Sequence, residues 1–187
     1  MREVIQKSDE YFLYFFQSIH TPYLDVFFWY VSEAWVFIPL WIWAFYKIYQ
    51  RYAGRQLIKI VVLVGITVFL SDQISHVFKN YFKRLRPTQD VRYQKNIILV
   101  NNYKGGTYGF YSAHASNSAS ISVLTILLLR RNSYKYLMLL YPLLSGISRM
   151  YLGVHYFSDV VCGWLMGGFV AYSLCVLFEK YLKVNKS

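Results

Sequence analysis

Acidic residues are scarce in this sequence, with nine Asp and Glu against 20 Lys and Arg and a formal net charge of +11. Their carboxylates form no cluster that would bind magnesium or zinc, so we expect no metal and no other cofactor. In a soluble protein such a positive charge would suggest nucleic acid as a partner. Here the basic residues lie at the ends of apolar segments, which favours anionic lipid headgroups or phosphate instead.

Cysteine is equally scarce. The two cysteines, Cys162 and Cys175, fall within the last apolar segment and are thirteen residues apart. That separation along one helix excludes a bridge between them, so both are interpreted as small packing residues. The chain also lacks internal repeats and low-complexity segments. We therefore expect residues 1–187 to form one membrane-embedded domain.

Apolar residues, in contrast, are abundant: the chain is 56% hydrophobic and 20% aromatic. Few soluble domains of this size could bury so much apolar surface, and several stretches approach the roughly 20 residues that a helix needs to cross a bilayer. The sequence predicts an all-α, polytopic membrane helix bundle with about five transmembrane helices and an N-terminal interfacial helix. The interfacial helix is predicted at 11–24, and the spans at 26–46, 57–78, 112–129, 136–147 and 157–178.

Charge alone does not orient these spans, because Lys and Arg divide evenly between the two faces of the bundle. One face carries its charge in short turns at 47–59 and 130–135 and at the C-terminal end from 180, where positive-inside counting is most reliable. Much of the charge of the other face lies in three segments that also contain His114 and His155. We expect a bacterial inner membrane protein in which this second face points to the periplasm or exterior.

The first of the three segments, "KNYFKRLRP", contains two cations seven residues apart, Lys79 and Arg86. On a helix this spacing places both on one face, two turns apart, where they would bind an anion together. The alternative is a solvated basic collar for lipid headgroups, and that interpretation is preferred for Lys83 and Arg84.

The second and third segments supply histidines. His114 follows Ser112 in the first turn of a predicted span, where free N–H groups and the helix dipole favour an anion and a histidine could donate a proton; an ordinary polar cap is the alternative. His155 and Asp159 are four residues apart at the start of the last span, so the carboxylate could fix one imidazole nitrogen and leave the other as a nucleophile. Arg149 adds a planar guanidinium, whose paired N–H donors suit phosphate oxygens.

Three further features receive weaker interpretations. Asp72 is interpreted as a partner for a site cation or as a polar contact between helices, and Glu33 as a residue without a functional role. The loop 101–111, "NNYKGGTYGFY", is either a cover over a headgroup or an ordinary loop.

Together the blocks "KNYFKRLRP", "YSAH" and "SRMYLGVHYFSD" resemble the signature of the type 2 phosphatidic acid phosphatase family, K-x6-R-P, P-S-G-H and S-R-x5-H-x3-D. The first and third blocks match at every fixed position, within residues 79–159. The middle block departs from the pattern, with Tyr111 in place of proline and Ala113 in place of glycine. Alanine tolerates a positive φ poorly, so this departure puts the family's turn in question.

The resemblance implies a metal-independent integral membrane lipid phosphatase. It implies that His155 attacks phosphorus to form a phosphohistidine, that Asp159 orients His155, and that His114 protonates the leaving oxygen. Phosphoryl oxygens would be bound by the cations Lys79, Arg86 and Arg149. Ser112 and nearby backbone N–H groups, including that of Ala113, would bind them as well. The substrates it suggests are undecaprenyl diphosphate, lipid A 1-phosphate, phosphatidylglycerol phosphate and phosphatidate.

Three other functions are compatible with parts of the pattern. A catalytically inactive scaffold that binds lipid phosphates would follow if the altered middle block abolished turnover. A haloperoxidase with the related vanadate site would be soluble, unlike this chain. A channel or transporter would line a path through the bundle with polar residues, whereas here they gather at one interface.

Overall fold

Seven α-helices and four short 3₁₀ turns form the regular structure of residues 2–130 and 132–182, the part of the chain that the computed structural model describes. This confirms the predicted all-α class. The helices are α1 (Arg2–Ser18), α2 (Pro22–Ser32), α3 (Ile38–Arg51), α4 (Arg55–Phe82), α5 (Ala113–Leu129), α6 (Asn132–Tyr151) and α7 (Phe157–Leu182). Arg131 and residues 183–187, which belong to the predicted basic face, lie outside the described residues, as does Met1.

The N-terminal helix begins earlier and ends earlier than the predicted 11–24. Thr21 has an extended backbone and its side chain accepts the N–H of Leu24, while Pro22 occupies the first turn of α2. Both are strong helix-start signals, so the chain starts a second helix there instead of extending the first. Leu13 and Phe16 of α1 are buried, and α1 packs against α6 and α7.

The predicted span 26–46 is not one continuous helix. Helix α2 ends at Ser32, Glu33 is extended, and a 3₁₀ turn Ala34–Phe37 leads into α3. The two halves are bent by 75°. Pro39 lies in the first turn of α3, where the missing N–H costs little, and it therefore supports a new helix start at this position.

Two helices among the described residues, α4 and Phe157–Phe178 of α7, are long and apolar enough to cross a membrane. The bent pair α2 and α3 would make a third span, and α5 is a shorter apolar helix of 17 residues. The membrane bundle is thus confirmed. The predicted number of five spans requires that α5 and α6 also cross, and it stays a prediction.

Helix α5 is the centre of the bundle, and it packs most extensively against α7, α6 and α4. Its first half consists mostly of Ala and Ser, most of them buried, which allows close helix approach. Gly167 of α7 shows how closely α7 approaches α5, because a Cβ there would lie 2.0 Å from the carbonyl oxygen of Ser116. On the opposite side, the Ser71 hydroxyl of α4 lies 2.7 Å from the Ser116 hydroxyl. The N-terminal end of α5 is thereby fixed between α4 and α7.

Between α4 and α5 runs a connection, residues 83–112, that covers one end of the bundle. An antiparallel bridge joins Leu85 to Tyr108, so the outgoing and returning strands of the connection lie side by side. Tyr93, Ile97 and Val100 are buried and attach it to the helices. This connection brings the first signature segment against the ends of α5 and α7.

Candidate active site

His155 lies in the short turn between α6 and α7 and is only 2% exposed. The turn is made possible by Gly153, whose φ of +66° suits glycine. We predicted His155 at the start of the last helix, but α7 begins two residues later, at Phe157. The imidazole still reaches Asp159 in the first turn of α7: His155 Nδ1 is 3.5 Å from Asp159 Oδ2.

The other carboxylate oxygen of Asp159 contacts Arg84. Arg84 Nη1 donates to Asp159 Oδ1 at 2.7 Å, and Arg84 Nη2 donates to Asp9 Oδ2 at 2.6 Å. The predicted solvated collar is therefore wrong for Arg84, because its guanidinium lies between two buried carboxylates. Lys83 is exposed and has a left-handed backbone just after the end of α4.

The seven-residue spacing predicted that Arg86 shares a helix face with Lys79, and this prediction is wrong. Helix α4 ends at Phe82, and Arg86 belongs to the connection, where its backbone N–H donates to Thr107 and its Nε donates to the carbonyl of Tyr108. The guanidinium passes over Gly105, at which a Cβ would lie 2.5 Å from Nη1. Arg86 thus reaches the site through the loop, and glycine makes room for it.

Arg149, in the last turn of α6, is 3% exposed. Its Nη2 donates to the hydroxyl of Tyr103 at 2.8 Å, and its guanidinium carbon lies 5.4 Å from the centre of the same ring. Sequence reasoning missed Tyr103 as an individual residue. Of the two alternatives for the loop 101–111, the contact favours a cover over the site.

Buried donor-capable atoms without a hydrogen-bond partner in this region include Arg86 Nη1, Arg149 Nε and His155 Nδ1. Unpartnered buried polar atoms are rare and call for an explanation. Burial lowers the pKa of Arg86, and the positive charge of Arg149 lowers it further. Burial likewise lowers the pKa of His155 well below its ordinary value, and the cations of Arg86, Arg149 and Lys79 add to this effect. The arrangement is a neutral imidazole surrounded by cations, which suits a dianionic ligand.

The N-terminus of α5 forms another wall of the site. Ser112 caps the helix, since its hydroxyl accepts the N–H of Ala115, and its own N–H donates to the carbonyl of Asp159 at 3.0 Å. Ala113 is the first helical residue, so alanine in place of glycine requires no positive φ. Tyr111 is fully buried, with its ring 5.2 Å from that of Phe78. His114 follows in the first turn and is exposed.

Beside His114 a cavity of about 180 Å³ opens between α2, α4, α5 and α6. Glu33, for which no role was predicted, lines this cavity from the break between α2 and α3. Asp72 also lines it and makes contacts of 3.4 Å to His76 and 3.5 Å to Asn117. Of the two interpretations of Asp72, the contact with Asn117 of α5 favours a polar contact between helices.

Gly109 is a further residue of the site. Its N–H donates to the carbonyl of Arg84, and a Cβ there would lie 3.0 Å from Asp159 Oδ2 and 3.2 Å from Arg86 Cγ. The three glycines of the loop were the available signal, but the sequence did not show which of them approaches Asp159 and Arg86.

A cluster of buried cations around a histidine, at the ends of the helices of a membrane bundle, defines an integral membrane protein with an oxyanion-binding centre. The chain belongs to the PAP2 superfamily, whose family model matches residues 56–183. This confirms the predicted resemblance to type 2 phosphatidic acid phosphatases and, with it, the predicted class of membrane lipid phosphatase.

Relatives and solved structures agree with this membership. The chain is 29% identical to the lipid A 4'-phosphatase of Bacteroides thetaiotaomicron over 90% of its own length and 76% of that protein. It is 30% identical to the lipid A 4'-phosphatase of Porphyromonas gingivalis over 80% of its own length, but it spans only 64% of that relative, just under two thirds. The PAP2-type phosphatidylglycerolphosphate phosphatase of Bacillus subtilis shares the fold, with a TM-score of 0.70, 20% identity, and coverage of 98% of this chain and 90% of that one.

Proposed function

We propose that the protein removes a phosphate group from a membrane lipid through a covalent intermediate on His155. The observation that carries this proposal is the burial of the His155 imidazole among the cations Lys79, Arg86 and Arg149, which lowers its pKa and so favours the neutral form. A neutral imidazole keeps a lone pair for attack, and preorganised cations stabilise the charge that develops on the transferring phosphoryl group.

In the first step, Nε2 of His155 attacks phosphorus while the bond from phosphorus to the lipid oxygen breaks. Asp159 faces Nδ1, at 3.5 Å, and so leaves Nε2 as the nucleophile. His114, in the first turn of α5, supplies the proton that the leaving lipid alkoxide needs. The N–H groups of Ala113 and His114 at the start of this helix lack helical acceptors and, with the Ser112 hydroxyl as a further donor, suit the phosphoryl oxygens.

In the second step, a water molecule attacks the phosphohistidine. His114, now neutral, accepts a proton from that water, and the bond between phosphorus and Nε2 breaks. Inorganic phosphate leaves and both histidines return to their starting states. The residues assigned to these steps are the ones that the signature segments predicted, and every proton and electron pair is accounted for by them and by water.

Among the suggested substrates we favour a phosphate carried by lipid A, the substrate named for the two bacterial relatives at about 30% identity. The cavity beside His114 supports a polar leaving group, because it offers the side chains of Glu33, Asp72 and Asn117. Carboxylates and amides of this kind bind sugar hydroxyls well, whereas a phosphatidate carries no free glycerol hydroxyl to match them. Undecaprenyl diphosphate and phosphatidylglycerol phosphate are the competing substrates.

We also propose that the protein resides in a bacterial inner membrane with His155 facing the periplasm. The short turn between α3 and α4 carries Arg51 and Arg55, at the opposite end of α4 from Lys79. Positive-inside counting places such short basic turns in the cytoplasm, which puts the site at the outer interface.

The test is phosphate release by protein purified in detergent, with chelator present, from lipid A, phosphatidylglycerol phosphate, phosphatidate and undecaprenyl diphosphate. We expect release that is fastest with lipid A and absent in His155→Ala. Radiolabelled substrate should leave a label on the wild-type protein that is stable to alkali and labile to acid, as a phosphohistidine is. If the protein bound vanadate but released no phosphate from any substrate, the inactive scaffold would replace this proposal.

A further inference from the structure

The carboxylate of Asp159 is fully buried and its two oxygens have different partners. Oδ2 accepts the N–H of Tyr156 at 3.1 Å and faces His155 at 3.5 Å. Oδ1 accepts from Arg84 at 2.7 Å. The shorter contact and the formal positive charge belong to the arginine side, so Arg84 determines the orientation of this carboxylate more than the histidine does.

Arg84 is in turn fixed by a second carboxylate, that of Asp9 in α1. Asp9 is 3% exposed, and besides accepting from Arg84 at 2.6 Å it accepts the N–H and the hydroxyl of Ser158, both at 2.8 Å. Arg84 also lies over the ring of Tyr156, with its guanidinium carbon 4.2 Å from the ring centre. All four carboxylate oxygens of Asp9 and Asp159 thus accept a hydrogen bond, as buried ionic groups require.

This network contributes to the charge around His155 through Asp159. The groups that act electrostatically on His155 are Lys79 of α4, His114 of α5, Arg149 of α6, Arg86 of the connection and Asp159 of α7. Asp159 alone among them is an anion. An isolated buried carboxylate 3.5 Å from an imidazole would favour the imidazolium form, which has no lone pair for attack. A carboxylate already paired with Arg84 orients the imidazole without that effect.

We propose that Arg84 and Asp9 are positioning residues: through Asp159 they orient His155 and keep it unprotonated. This inference rests on the proposed function and assigns a role to Arg84, at a variable position of the first signature segment, and to Asp9, outside the residues 56–183 that the family model matches. The N-terminal helix thus takes part in the chemistry of a site formed mainly by the C-terminal helices.

The test compares four variants with the wild type: Arg84→Gln, Arg84→Lys, Asp9→Asn and the control Lys83→Gln. The control removes the same charge from the neighbouring, exposed residue. We expect Arg84→Gln to lower kcat about 10- to 100-fold, as loss of a partner that orients a catalytic group commonly does, with KM nearly unchanged. Arg84→Lys should restore part of the lost kcat, Asp9→Asn should lower kcat less than Arg84→Gln does, and Lys83→Gln should keep the wild-type kcat.

A second measurement does not depend on turnover. The chain contains four histidines, so NMR of labelled imidazoles in detergent micelles can follow His155, assigned with His155→Gln. In Arg84→Gln the freed carboxylate should raise the pKa of His155 by about one unit or more, and in Lys83→Gln the pKa should stay at the wild-type value. A purely structural role of Arg84 would lower the melting temperature without this change in titration.

The outcomes separate the two proposals. If the wild type releases phosphate but Arg84→Gln and Asp9→Asn keep its kcat and the His155 titration, the positioning role is refuted and the proposed function stands. If the wild type releases no phosphate, the proposed function fails, and the His155 titration still decides whether Arg84 controls its protonation. Should Arg84→Gln not fold, Arg84→Lys and Asp9→Asn provide the same two readouts.

Discussion

The two histidines of the candidate site have opposite surroundings. His155 is almost completely buried, faces a carboxylate that is itself paired with an arginine, and belongs to a turn fixed by hydrogen bonds. His114 is exposed at the first turn of α5 and borders a cavity. A nucleophile needs fixed geometry and exclusion of water, whereas a group that protonates a leaving lipid must face space for that lipid. Under the proposed mechanism, this difference assigns attack on phosphorus to the enclosed side of the site and the leaving group to the open side.

The largest expected effect is at the enclosed side. We expect His155→Ala to lower turnover about 10⁴-fold or more, and to do so equally for a lipid phosphate and for p-nitrophenyl phosphate, since both require the nucleophile. Phosphate release from the two substrates measures this. A variant that retained turnover on either substrate would show that the nucleophile lies elsewhere.

A smaller and selective effect is expected at the open side. His114→Gln should lower turnover of a lipid phosphate about 10²- to 10⁴-fold, as loss of general acid catalysis does. On p-nitrophenyl phosphate, whose leaving group needs no proton, the loss should be below about tenfold. Equal losses on both substrates would assign His114 to phosphate binding and not to proton transfer.

The relative position of the two sides depends on the contact between α5 and α7. Gly167→Ala would place a Cβ 2.0 Å from the backbone of Ser116, so we expect a loss of stability of roughly 1–3 kcal/mol and reduced activity. The matched control is Gly168→Ala, since a Cβ at Gly168 meets only Val123, at 3.7 Å. Thermal unfolding in detergent compares the two; equal melting temperatures would mean that the close approach does not fix the site.

The smallest effect is expected at Ala113, where the sequence departs from the family pattern. Because Ala113 is the first residue of α5 with a helical backbone, Ala113→Gly should change turnover by less than about threefold and should lower stability by up to about 1 kcal/mol. Activity and thermal unfolding check both numbers. A gain in turnover of tenfold or more would show that alanine limits the site.

Local patterns in the sequence were sufficient to predict the helical class and the candidate residues. Long apolar runs gave the core of α4 and the span 157–178 at its observed bounds. The spacing of the three signature segments selected His114, Arg149, His155 and Asp159, which lie at one end of the bundle. Such features depend on residues close together in the chain.

What could not be predicted depends on contacts between distant residues or on subtle helix ends. Arg84 and Asp9 are 75 residues apart, and an ion pair over that separation leaves no periodic signal. Helix α4 ends at Phe82, although the first helix-breaking residue after it is Pro87. Because the sequence showed no earlier break, Arg86 was predicted to lie on a helix face that it does not occupy. Glu33 within an apolar run was a usable signal for the break between α2 and α3, and it was interpreted as a residue without a role.

The bond between Asp9 and the N–H of Ser158 joins residues 149 positions apart, which has a consequence for biosynthesis. Helix α1 leaves the ribosome long before Ser158 is translated, so Asp9 gains this partner only after α7 has been made. Under the proposed mechanism, a nascent chain that ends before α7 lacks the carboxylate of Asp159 beside His155. Phosphatase activity would then begin only when α7 inserts and the N-terminal helix docks against it.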